Sequence, residues 1–177
     1  MNNLSVVRKT CYCALTTALC VILPMAFHGF PNGGKIFLPM HIPVLLCGLT
    51  CGWPWGLLCG LVGPLLSSIL TGMPGAPVLP GMLVECGIYG LTSGLLLRYV
   101  RTGRLLGDLY ISLTAAMLLG RVISGLVKAL ILTPGLSFQA WAMASFVTGL
   151  PGIVLQLLLL PPVIRALMNS KALPRRY

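Results

Sequence analysis

The sequence predicts an all-α membrane protein, six transmembrane helices in one compact bundle over residues 1–177, with both termini in the cytoplasm. Three observations predict it. The chain is 57% hydrophobic and 8% charged, with a mean hydropathy of +0.97, far from the composition of a soluble domain. Its apolar runs are separated by short Gly- and Pro-rich joints. At about 20 residues per crossing, 177 residues hold six spans and no separate soluble domain. Finally, six crossings place nine of the twelve basic residues on one side: Arg8 and Lys9, then Arg98, Arg101 and Arg104, then Arg165, Lys171, Arg175 and Arg176. Only Lys35 lies in a loop on the other side, so the positive-inside rule puts both termini in the cytoplasm. The net charge of +10 therefore reads as a topology signal and not as a nucleic-acid site.

The first helix is expected over about 10–27, after a polar start carrying Arg8 and Lys9. A signal peptide shares that outline, but the apolar core is long and no small-x-small cleavage site follows, so the segment is read as a retained helix. One of its faces carries Thr10, Ala14, Thr17 and Ala18, a small-residue stripe suited to docking another helix, within the bundle or from a partner. The stretch His28 to Pro39 is too polar and too rich in Gly and Pro to span, and is expected to be an outer loop.

A short second helix follows over about 40–50 and a third over about 54–70. Between them, Trp53 and Trp55 mark a cytoplasmic turn, where indoles anchor at the interface. Gly52, Gly56, Gly60, Gly90 and Gly94 recur at helical spacing and allow close backbone approach in lipid. Pro74, Pro77 and Pro80 predict a stiff outer joint, since proline fixes φ and removes a donor. The fourth helix covers about 81–97 and ends in a basic loop. The fifth covers about 109–132 and is stopped by Pro134-Gly135; the sixth covers about 138–167, with a kink at Pro151. The seven cysteines lie in or beside apolar runs without a CxxC pair and read as small buried thiols.

The chemistry is expected where charge enters the apolar runs. Arg121 and Lys128 are two turns apart on one face of the fifth helix, about 10 Å along its axis, with Ser124 and Gly125 between them. A cation at mid-bilayer costs about 2.5–3.5 kcal/mol on insertion scales, so that face must look inward. Glu85, Tyr89 and Thr92 share a stripe on the fourth helix; Trp141, Ser145, Thr148 and Gly152 share one on the sixth. Three consecutive helices thus offer polar faces to a common cavity, expected to open outward. Glu85 and Lys128 fall at similar depth, which fits an ion pair fastening two helices and equally a shared ligand site. Either way Arg121 has no acidic partner, and a guanidinium grips a carboxylate at two points.

Several classes are excluded. The chain has no GxxxxGK[ST] phosphate loop, no HExxH and no GxSxG, and two acids cannot build a multi-carboxylate metal site. His28 and His41 flank the first outer loop without enough companions for a metal centre. No enzyme activity, cofactor or metal is expected.

The segments PMHIPVLLCGL at Pro39 to Leu49, GLLCGLVGPLLSSILTGMP at Gly56 to Pro74 and MLVECGIYGLTSGLL at Met82 to Leu96 resemble the substrate-specificity (S) components of energy-coupling factor vitamin transporters. The likeness is nearest to the branch that includes pantothenate- and related vitamin-specific members. It runs over about residues 10–98, the remainder matching in hydropathy and length.

The resemblance implies a prokaryotic plasma-membrane protein that captures a small vitamin from outside. The pocket would be formed by the first outer loop and the last three helices. Arg121 and Lys128 would hold an acid group, Glu85, Tyr89, Trp141 and Ser145 would orient the remainder, and Asn32, Lys35 and His41 would belong to a loop closing over it. It also implies that Ala14 and Ala18 contact a transmembrane coupling (T) subunit, although the longer alanine repeat is reduced here to Thr10, Ala14, Ala18, Ile22. Two cytosolic ATPase subunits would supply energy, and the loaded protein would topple in the membrane to release its cargo. Pantothenate is the first expectation for that cargo, with niacin, a pyridoxine-type vitamin and a folate-like compound as alternatives. Two other classes remain, a proton-coupled carrier working alone with Glu85 as its proton site, and a structural membrane subunit whose charges only pair helices.

Overall fold

A computed structural model describes residues 4–27, 33–132 and 137–174, and all regular structure in them is helical. The helices are α1 (Val6–Ala26), α2 (Gly33–Phe37), α3 (His41–Cys51), α4 (Trp53–Thr71), α5 (Leu79–Tyr99), α6 (Leu105–Val127), α7 (Phe138–Ala142) and α8 (Leu150–Asn169). Wider π-helical turns extend α6 over Lys128–Leu132 and follow α7 over Met143–Thr148. Among the described residues, five helices are long and apolar enough to cross a membrane: α1, α4, α5, α6 with its extension, and α8; α3 is a shorter apolar helix. This is a multi-pass membrane protein.

The largest departure from the sequence expectation is at the last span. A single kinked helix over 138–167 was the expectation; the chain instead makes α7, a π-helical stretch and then α8. Gly149 ends the π turn, and Pro151 stands in the first turn of α8, where its missing N–H has no intrahelical partner to lose. Pro151 therefore starts a helix rather than bending one. At the basic loop, Asp108 accepts hydrogen bonds from the Thr102 backbone N–H at 2.7 Å and the Thr102 hydroxyl at 2.8 Å. This clasp lies in the first turn of α6, where a carboxylate favours the helix dipole, and α6 begins four residues earlier than expected.

The centre of the bundle is α5, which packs on α3, α4 and α6, while α1 lies against α3 and α4. Glycine makes these contacts possible. A Cβ built on Gly90 would fall onto the Gly56 backbone, and one on Gly56 would fall onto the Gly90 carbonyl. The two helices therefore meet backbone to backbone, as the small-residue spacing predicted. Gly52, at φ +96°, turns α3 into α4 in a conformation that L side chains rarely adopt.

Six of the seven cysteines are buried; Cys11 is exposed. The Cys13 and Cys47 thiols both approach the Trp55 carbonyl, at 3.7 and 3.4 Å, and so fasten α1 and α3 to the start of α4. At the joint between α4 and α5, the Ser67 and Ser68 hydroxyls donate to the Met73 and Pro74 carbonyls at 2.7 and 2.8 Å. Helix α4 thereby supplies the partners that a proline-rich turn cannot supply for itself.

Candidate functional site: a buried polar core between α3, α5, α6 and α7

Glu85 is the hub. From α5 it reaches Lys128, whose Nζ donates to Oε2 at 3.0 Å, and the Tyr89 hydroxyl donates to Oε1 at 3.5 Å. The His41 Nε2 lies 3.5 Å from the same Oε1, and the His41 ring meets the Tyr89 ring edge-on with centroids 5.1 Å apart. His41 fell at the start of the helix expected over 40–50 and was also assigned to a covering loop. It is the first residue of α3 and buried in the core, because the helix starts directly after the Leu38–Met40 turn and carries the imidazole inward.

Arg121 lies two turns inward along α6 and is 3% exposed. Its Nε and Nη2 have no hydrogen-bond partner among the described residues. Its Cζ stands 5.8 Å from the centroid of the Phe146 ring, and Phe146 meets Trp141 edge-on at 5.8 Å. The guanidinium is thus roofed by aromatic rings and left without an acid. Both acids of the chain are engaged elsewhere, Glu85 by Lys128 and Asp108 by Thr102.

Two glycines of α6 shape this core. A Cβ on Gly120 would strike the Tyr89 ring, and one on Gly125 would strike the Trp141 indole. Both rings are therefore seated against the α6 backbone. The segment before α3 is tied down as well: Gly152 of α8 lies under the Ile36 and Phe37 backbone, and the Gln156 side chain donates to the Leu38 carbonyl at 3.5 Å. Leu38 itself has φ +50°, a conformation uncommon outside glycine.

Of the expected site residues, Glu85, Lys128, His41 and Tyr89 form one cluster, with Arg121 and Trp141 beside it. Ser145 is half-buried in the π-helical stretch with Thr148 exposed, and the Thr92 hydroxyl is turned back onto the Ile88 carbonyl at 2.6 Å. The stripe expected on the last helix does not persist as an α-helical face, since its residues are divided between α7, the π turn and α8. Asn32 and the Lys35 side chain lie outside the described residues. Sequence reasoning missed Phe146. It comes to Trp141 five positions away, the i to i+5 relation of a π turn, which an α-helical reading cannot find. The polar faces meet in the interior, while an apolar groove of about 360 Å³ lies apart from them, lined by Phe37, Leu150, Pro151, Val154, Leu155 and Leu158.

Residues 10–164 match the family model described as ECF transporter, substrate-specific component. The chain belongs to that family. S components are substrate-binding subunits of transporters, not enzymes themselves; they bind a small substrate and associate with T and ATPase modules. No curated protein and no solved structure matches the chain. For an S component, a buried cation without a counter-charge has a direct meaning, since intramembrane charge is retained where it serves a ligand or a partner charge.

Proposed function

We propose that this S component captures a small carboxylate-bearing vitamin at the outer side of a prokaryotic plasma membrane and delivers it through a T subunit driven by two ATPase subunits. Pantothenate is the first candidate. One observation carries the reading: Arg121, 3% exposed, has Nε and Nη2 unpartnered among the described residues, in a core whose acids are already engaged. A buried guanidinium without a counter-charge is costly, and a bidentate carboxylate removes that cost.

In this reading Arg121 grips the acid, and Glu85, Tyr89 and His41 offer hydrogen bonds to the remainder. Lys128 holds the Glu85 carboxyl in place through the 3.0 Å contact. Trp141 and Phe146 form an apolar wall beside the guanidinium, Ser145 adds a hydroxyl, and Asn32 and Lys35 belong to the covering segment before α3. The route to so buried a guanidinium passes through the outer segment around α2, where Gln156 donates to the Leu38 carbonyl at 3.5 Å and Gly152 packs under the Ile36 and Phe37 backbone. Ala14 and Ala18 are both exposed on α1, which suits them to the T-subunit contact.

Native mass spectrometry of the detergent-purified protein, followed by calorimetric titration with a vitamin panel, tests the proposal. A co-purified carboxylate that rebinds at nanomolar affinity is the expected result. Protein that carries and binds no vitamin overturns it.

A further inference from the structure

The two cations on the inner face of α6 are not one site. Arg121 and Lys128 are about 10 Å apart along the helix. Midway between them is Gly125, where a Cβ would come within 2.6 Å of the Trp141 Cζ2 and nearer still to Cε2 and Nε1. The indole therefore occupies the surface between the cations. On the α5 side the Tyr89 ring is seated on Gly120, one residue before Arg121, and its hydroxyl is directed at Glu85. On one side of the indole is the guanidinium, its Nε and Nη2 without a partner among the described residues; on the other Lys128 and Glu85 balance each other at 3.0 Å.

We propose that Gly125 is a specificity-determining position: by seating Trp141 against α6 it divides the polar core into an anionic subsite at Arg121 and an uncharged, hydrogen-bonding subsite at Glu85–Lys128. This rests on the carboxylate reading above and narrows it. The ligand class is an extended monoanion, with a carboxylate at one end and hydroxyl or amide groups about 10 Å away, whose apolar middle lies along the indole. A second charge at the far end is disfavoured, because the Glu85–Lys128 pair offers no net charge to meet it. A short rigid carboxylate occupies the Arg121 subsite alone.

The consequence is a length-dependent response to one methyl group. In Gly125→Ala the new Cβ drives the indole off α6 and into the path of the ligand's middle. Two probes separate this from general damage: pantothenate, which has a carboxylate and hydroxyls at opposite ends, and nicotinate, which is short and rigid. Calorimetric titration of the purified full chain is expected to show Gly125→Ala weakening pantothenate more than tenfold while nicotinate changes less than threefold. Adding Trp141→Phe to the same chain, a smaller ring that the Cβ leaves room for, is expected to restore pantothenate binding to within a few-fold of wild type.

Equal changes for the two probes, no change for either, or failure of Trp141→Phe to rescue would each overturn the inference. A wild-type protein that binds nicotinate but not pantothenate overturns it too and leaves the carboxylate reading standing. One that binds no carboxylate of the vitamin panel overturns both.

Discussion

Lys128 Nζ lies 3.0 Å from Glu85 Oε2, and this one contact decides which cation of α6 is available. Glu85 is 14% exposed and Lys128 31%, so the pair is more buried on the acid's side than on the base's. With Lys128 engaged and the other acid clasped at the opposite end of α6, Arg121 has neither acid of the chain beside it.

Arg121→Ala is expected to weaken a carboxylate ligand more than tenfold, because charge-assisted hydrogen bonds are worth about 1.5–3 kcal/mol. The melting temperature in detergent should hold or rise, since an unpaired buried charge is removed. Calorimetry and a thermal melt on the same preparation check both halves. Unchanged affinity would remove Arg121 from the site.

Neutralising one partner of the Glu85–Lys128 pair strands the other. Glu85→Gln and Lys128→Met should each cost about 1–3 kcal/mol, less than a fully buried pair because Lys128 is partly exposed. The double variant should cost clearly less than the sum. Thermal melts of the four proteins close the cycle, and simple additivity would show that the contact carries no coupling.

The α4–α5 crossing leaves no space at Gly90. Gly90→Ala is expected to lower stability by about 3 kcal/mol or more, since the new Cβ meets the Gly56 backbone, which cannot move aside. At Gly87, one turn away, the nearest atom is the flexible Leu61 Cδ2 at 3.2 Å, so Gly87→Ala should cost less than about 1 kcal/mol. Similar melting temperatures for the two variants would argue against the backbone contact.

Ala14 and Ala18 face outward on α1, away from the polar core. Ala14→Leu with Ala18→Leu should leave ligand affinity within about twofold and abolish co-purification with a T subunit, since added bulk separates helices that pack through small residues. Retained co-purification would place that contact elsewhere.

Hydropathy and charge alone determined that this chain is a helical membrane protein, because lipid forces each span to satisfy its own backbone and leaves basic residues at the ends. Glycine spacing likewise announced the α4–α5 contact, and the apolar context of Arg121, Lys128 and Glu85 marked them as inward-facing. The pairing of those charges was a different matter, since equal depth on two helices fits several partners and only the packing of α5 on α6 selects Glu85 with Lys128. Tertiary structure also turned the His41 ring, at the start of the helix expected over 40–50, into the core, and broke the last span into α7, a π turn and α8. The reason is common to both: hydropathy reports how deeply a segment lies but not where a helix begins or how it winds. Where a π turn replaces an α turn, the faces read from a 3.6-residue period no longer apply, and Phe146 comes to lie beside Arg121 and Trp141 with nothing in the sequence pattern to announce it.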